Sequence, residues 1–316
     1  MVRPRRCNLI GVQSDSSQAG IVTERINNTL LDRGVDVYRQ ASLHPSSPLS
    51  CPPRTPLVFV DELGKNFPLH DIRAGAFFVT WFNSSKISTH IVDYINEKSI
   101  SLIVPSEYCL TVLSASGVIT PLYQIPFGVD KCSPPLRDSE VEPPIYILAN
   151  VYDKPEYIDT LARALEEHGL LSKGSVQLLV QLGPGIQCNF KYIGVSILPS
   201  NIPKSYMETL YEQCDFYVSF ERLAWDTDML NAMCHGVIPI GLRFAGNLEF
   251  LDSDVGIPIP FSYVNNSELT AVPDATALSS VFGPLIDINM NRTSIFNRAQ
   301  DYTWSEFGRR LLDVVR

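Results

Sequence analysis

The sequence predicts an α/β protein made of two successive domains, each a parallel sheet with crossover helices. Short apolar runs alternate with amphipathic stretches at helical spacing, and a proline-rich segment interrupts this rhythm before it restarts. Size agrees: 316 residues is long for one α/β domain and comfortable for two of roughly 100–200 residues each.

Taken in order, residues 7–13 (CNLIGVQ) read as a strand followed by a polar loop over 14–20. From Gly20 to Arg33 the apolar positions Ile21, Val22, Ile26, Leu30 and Leu31 recur at helical spacing, and Gly34 is placed to end that helix. Further strands are predicted at 35–38, 57–60, 76–82, 101–104 and 122–126, with helices at 88–97 and 106–115. Residues 132–144 hold four prolines and several charges, which suit neither a helix interior nor a central strand, so they read as a linker. Beyond it come a strand at 145–149, a helix at 155–168 with Pro155 in its first turn, and a strand at 176–182. A helix at 203–214, a strand at 216–220, a helix at 227–235 and a strand at 237–241 complete the second array. The ending TWSEFGRRLLDVVR places Trp304, Phe307, Leu311, Leu312 and Val315 on one face of an amphipathic helix that needs a surface to cover. The expected division is therefore 1–138, 139–296 and a closing helix at 297–316, with two Rossmann-like domains facing a cleft where ligands of such sheets bind.

Composition narrows the function. Hydrophobic residues make up 45% and charged residues 19%, as in a packed globular protein. A net charge of −9 and a pI near 5.1 oppose a broad phosphate-backbone footprint, so nucleic acid is not an expected partner. The seven cysteines are scattered and never form C-x-x-C, which suits a reducing cytoplasm rather than a zinc ribbon or disulfide scaffold. Cys109, Cys214 and Cys234 lie in apolar surroundings and read as small core residues. The basic start has too short an apolar run for a signal peptide, and no stretch approaches the ~20 apolar residues of a membrane span. No histidine pair has metal-ligand spacing and no G-x-S-x-G occurs, so zinc and serine-hydrolase chemistry have no support.

Residues 216–252 carry a more specific pattern: a strand, a loop, a helix with Asn231-Ala232-Met233, then Gly236-Val237-Ile238-Pro239, Gly246 and Glu249. Upstream lie Pro105-Ser106-Glu107, Ile125-Pro126-Phe127-Gly128-Val129-Asp130, Lys154 after the strand at 145–149, and Leu182-Gly183-Pro184-Gly185. In order and spacing these resemble retaining family-4 glycosyltransferases of the GT-B fold, over nearly the whole of 105–312. The resemblance implies a retaining hexosyltransferase that uses a nucleotide diphosphate sugar and needs no metal. Its N-terminal domain would take a glycan, lipid-linked or small-molecule acceptor, and its C-terminal domain would take the donor. Two departures stand out. The positions of the family's paired glutamates are Leu223 and Asn231, and the expected Gly-Arg pair is Ala149-Asn150. They favour an alternative: a catalytically silent GT-B-like protein that binds a nucleotide-sugar, a glycan or a partner enzyme.

Sugar transfer builds negative charge on the leaving diphosphate, so cations and amide dipoles aimed there would supply most of the help. Lys154 is the first candidate, because it follows a strand end on the ligand side of the sheet. Arg222 and Arg243 also follow strand ends, and either could replace the missing arginine. Asn150 and Gly183 sit at the ends of their strands, Gly246 in the loop after the strand at 237–241. Asp226 or Thr227 caps the helix that follows, whose remaining amides could meet a ligand; Asn231, one turn in, could contact ribose or simply face the core or solvent. Asp226-Thr227-Asp228 looks like a metal-binding Asp-x-Asp, but carboxylates at a helix start are already explained by its dipole. Glu221 is expected to be exposed. In the first domain Gln18, Ala19 and Gly20 could approach donor or acceptor. Trp81 and Asn83 follow a strand, and Trp81 could stack on a sugar or pack in the core.

Overall fold

The computed structural model describes residues 6–11, 18–40, 55–63, 75–135, 143–151, 155–183, 185–188, 191–200, 202–221, 223–265, 269–282, 288 and 290–315. Its contacts divide the chain into a first unit, Met1–Gly128 with Tyr302–Arg316, and a second, Val129–Asp301.

Unit 1 runs β1 (Arg6–Gly11), α1 (Gln18–Asp32), β2 (Asp36–Gln40), β3 (Leu57–Glu62), β4 (Ala76–Trp81), α2 (Thr89–Lys98), β5 (Ser99–Val104), α3 (Glu107–Ser116) and β6 (Leu122–Gln124). The strands form one six-stranded parallel sheet in the order β2-β1-β3-β4-β5-β6. Every residue of β4 is buried, and β3 is buried up to its last residue, as expected of parallel strands covered on both faces. Ser106 caps α3 by accepting from the Cys109 amide at 3.4 Å, and Gly117 ends it in the left-handed region at φ 99°.

Unit 2 runs β7 (Ile145–Val151), α4 (Glu156–Glu167), β8 (Val176–Leu182), β9 (Val195–Leu198), α5 (Lys204–Gln213), β10 (Phe216–Ser219), α6 (Thr227–Cys234) and β11 (Ile238–Leu242). A 3-10 turn (Ala245–Glu249), β12 (Ile257–Ile259), the hairpin strands β13 (Phe261–Asn265) and β14 (Leu269–Pro273), α7 (Ala275–Phe282) and α8 (Arg292–Gln300) follow. Its six-stranded parallel sheet has the order β12-β11-β10-β7-β8-β9. The chain builds outward from β7 to β8 and β9, then returns to lay β10 on the other side. The carboxyl ends of β7 and β10 therefore flank a topological switch point, where open α/β sheets place ligands.

The chain closes with α9 (Trp304–Val314), which belongs to unit 1. Trp304, Phe307, Leu311 and Leu312 are buried, and Phe127 stacks on Trp304 at 6.0 Å while meeting Trp81 edge-on at 5.4 Å. The backbones come close enough that a Cβ on Gly128 would lie 2.0 Å from the Trp304 amide nitrogen, so only glycine fits there. Arg310 donates to the Gln124 carbonyl at 2.7 Å, tying α9 to the last strand of the sheet.

Candidate functional site

The switch point of unit 2 gathers polar side chains that an apolar sheet edge would not otherwise retain. Asn150, next to last in β7, is 3% exposed. Its Nδ2 donates to Asp228 Oδ2 at 3.2 Å, which fixes the amide's orientation because an ionised carboxylate only accepts. Asn150 Oδ1 is then left buried without a partner. Asp226 is the N-cap of α6: its Oδ1 accepts from the Met229 amide at 2.9 Å, and its Oδ2 is likewise buried and unpartnered. The Thr227 hydroxyl adds a third such atom. Buried polar atoms without partners are uncommon in native proteins and mark where ligand or water bonds go. Asn150 Oδ1 and Asp226 Oδ2 are both acceptors, so the group they suit is rich in hydrogen-bond donors, as a sugar's hydroxyls are.

The electrostatics are acidic. Burial, with Asp228 nearby, pushes the Asp226 carboxyl up to about 6, against the pull of the Ser219 hydroxyl and of the Met229 and Asp228 amides. Ser219 Oγ, in the last residue of β10, approaches Asp226 without making a hydrogen bond of ordinary geometry. Of the two caps the sequence offered, Asp226 is the one used: its carboxylate takes the amides of Met229 and Asp228 and meets the positive end of the dipole, so those two are not available to a diphosphate.

The other predicted residues fall as follows. Gly183 directly follows β8, and its amide donates to the Val151 carbonyl at 2.7 Å, beside Asn150. Asn231 is half-buried one turn into α6. Arg243 is exposed just past β11, with its amide bound to the Ile259 carbonyl at 2.9 Å. A Cβ on Gly246 would lie 2.1 Å from the Ala224 carbonyl oxygen, so this glycine lets the 3-10 turn press onto the loop before α6. Its amide donates to the carbonyl of half-buried Leu223 at 3.2 Å. Lys154 and Arg222 lie outside the described residues. Among the described residues no group of three or more His, Cys, Asp or Glu is placed to hold a metal ion.

In unit 1, Gln18, Ala19 and Gly20 form the first turn of α1 rather than a loop; Gln18 is half-buried and Gly20 buried. Asn83 is half-buried just after β4. Trp81, 1% exposed, packs against Phe127, so its ring is a core element and offers no face to a sugar. Glu221, expected at the surface, is buried. Sequence reasoning missed Ser219 and the Asn150–Asp228 bond. A lone serine inside the apolar run FYVSF was the available signal for Ser219; the bond spans 78 positions and had none.

No family model and no curated protein matches the chain at the level of sequence. Solved structures do match. Sucrose-phosphate synthase from Thermosynechococcus elongatus superposes with a TM-score of 0.67 at 15% identity, over 98% of each chain. HepE from Anabaena, solved with UDP and glucose, gives 0.62 at 12% identity, over 98% of this chain and 99% of its own. The pneumococcal O-GlcNAc transferase GtfA, solved with UDP and GlcNAc, gives 0.56 at 16% identity over 76% of this chain. The chain spans only 52% of GtfA's length and 55% of that of TarM, another match. At these identities the likeness speaks to architecture alone, and on it the chain has the GT-B fold, two parallel six-stranded α/β sheets, that these glycosyltransferase structures share.

Proposed function

We propose that this chain transfers a hexose from a nucleotide diphosphate sugar, with retention, to a glycan, lipid-linked or small-molecule acceptor. The observation that carries the proposal is the buried cluster of unpartnered acceptors at the switch point of unit 2, Asn150 Oδ1 and Asp226 Oδ2, within a GT-B chain. Those atoms suit the hydroxyls of the donor's sugar or ribose, with Asn231 one turn further along α6. Because Asp226 occupies the helix mouth, the diphosphate falls to cations: Lys154, Arg222 and Arg243. The carboxylates of Asp226 and Asp228 would repel a phosphate placed against them, which keeps the two ends of the donor apart. No metal is part of the proposal. Related structures crystallised with UDP make uridine diphosphate sugars the first donors to try.

A second reading is favoured by Leu223 and Asn231, which stand where the resembling family has its glutamates. In that reading the chain binds a nucleotide-sugar, a glycan or a partner enzyme and transfers nothing. The two separate in one experiment: nucleotide-sugars are screened for binding by calorimetry and for slow diphosphate release, with Lys154→Ala alongside. Release that falls at least about tenfold in the variant supports transfer. Binding without release supports the silent reading. No binding of any uridine, guanosine or adenosine diphosphate sugar discards both.

A further inference from the structure

The first residues of unit 2, ahead of β7, are fastened to its helices. Asp130 pairs with Lys204 Nζ on α5 at 2.6 Å. Pro135 packs over Gly236, where a Cβ would come within 2.7 Å of the proline ring. Between these two anchors, Cys132 Sγ lies 3.5 Å from the Asp130 carbonyl oxygen, and its side chain neighbours the Cys234 thiol at the end of α6 and the ring of His235. Cys132 is half-buried, whereas Cys234 is buried and accepts from Gln300 Nε2 of α8 at 3.3 Å. Two sulfurs and an imidazole are thus held together by contacts on either side, away from the candidate donor site at the other end of α6. Both thiols are free.

We infer that Cys132 and Cys234 form a thiol–disulfide pair, with Cys132 the entry point for small-molecule disulfides and Cys234 the thiol that resolves the adduct. The Cys234 thiol beside it, and then His235, draw the Cys132 thiol down to about 5 against the opposing effects of burial and Asp130. The Cys234 thiol is pushed up, chiefly by its Cys132 neighbour and by burial. Cys132 as thiolate attacks one sulfur of a disulfide such as oxidised glutathione, and the other glutathione leaves as a thiolate. Cys234 then attacks the Cys132 sulfur, and its proton leaves on the departing glutathione thiolate. The Cys132–Cys234 bond forms and the second glutathione departs. Two protein thiols are oxidised, and one glutathione disulfide is reduced to two thiols. The bond fixes residue 132 to the last residue of α6.

The test treats the reduced full chain with oxidised glutathione at pH 6, blocks remaining thiols by alkylation, and maps linkages by mass spectrometry after digestion. Cys188, half-buried with a thiol raised by burial and by Glu156, is the internal reference. Cys132 is expected to react on the order of tenfold faster than Cys188, because at pH 6 its thiolate fraction outweighs its lower nucleophilicity. One reducible crosslink should join the Cys132 and Cys234 peptides, while Cys7, Cys109 and Cys214 stay reduced. In Cys234→Ser the glutathione adduct should accumulate on Cys132, and in Cys132→Ser Cys234 should stay reduced. Absence of the crosslink in the wild-type chain, or oxidation of Cys234 undiminished in Cys132→Ser, would overturn the inference.

Discussion

Asp226 shows how much one buried carboxylate can hold together. It caps α6, leaves one oxygen toward the candidate site, and is ionised at neutral pH only at a cost, since its folded value of about 6 stands above the ordinary 3.8. Between those two values the folded state binds the extra proton, so this group's contribution to stability falls as pH rises from about 4 to about 6. Asp226→Asn keeps an oxygen for the Met229 amide and removes the charge. The variant is expected to be more stable than the parent by about 2–3 kcal/mol at pH 7, by urea denaturation, with the difference shrinking toward zero near pH 4. A difference that stays constant with pH would mean that the carboxylate is not strained by burial. Gly246 makes the opposite case, a residue whose whole value is the side chain it lacks. The atoms that a Cβ would strike there belong to the Ala224–Trp225 backbone and cannot swing aside. Gly246→Ala should cost about 1–3 kcal/mol, while Leu248→Ala, on an exposed side chain of the same turn, should be nearly neutral in the same urea series.

Among the elements, the strands with the plainest signal are the most buried: β3, β4, β10 and β11 announce themselves as apolar runs because their residues face packed layers. β9 has no buried residue and β12 carries Pro258, so neither has a one-dimensional signal; both are edge strands recruited by the sheet beside them. α8 was missed for another reason. Its sequence, RTSIFNRAQ, is mostly polar, and its place comes from Arg292, which is 3% exposed and reaches the Gly236 carbonyl at 3.0 Å and Asp215 Oδ1 at 3.1 Å. Asp215 in turn accepts from the Tyr146 amide at the start of β7. The candidate site was legible to the same extent: the strand-end positions of Asn150 and Gly183 and the helix-cap position of Asp226 follow from the βα rhythm. The Asp226 cap is a local contact three residues along the chain, whereas the Asn150–Asp228 bond joins segments 78 positions apart. The α8 anchor gives a prediction at this scale. Arg292→Met leaves Asp215 charged, buried and short of a partner, so the variant should lose about 3–5 kcal/mol by urea denaturation. Adding Asp215→Asn should restore part of that loss, since the stranded charge is gone while an acceptor for the Tyr146 amide remains.

At the scale of the whole molecule, the chain completes its second unit before the first has all its parts, because α9 is the last helix in sequence yet belongs with residues 1–128. Trp304, Phe307, Leu311 and Leu312 bury their side chains there, and the Arg33 guanidinium reaches Ser305 Oγ at 3.1 Å from the end of α1. Burying a large apolar side chain is worth about 1.5–3 kcal/mol, so these four side chains are what holds α9 against unit 1. A chain ending at Asp301 would therefore keep every strand of both sheets and still lose the cover over Phe127. Hydrogen exchange read by mass spectrometry locates the damage. Relative to the full chain, the truncated one should exchange faster in α1, against which Gly308 packs through Thr29, and in β6, whose Gln124 carbonyl loses Arg310. The amides of α4 and β8 should be unchanged. An equal rise in β8 would show that the terminal helix stabilises both units, and no rise in α1 or β6 would show that it stabilises neither.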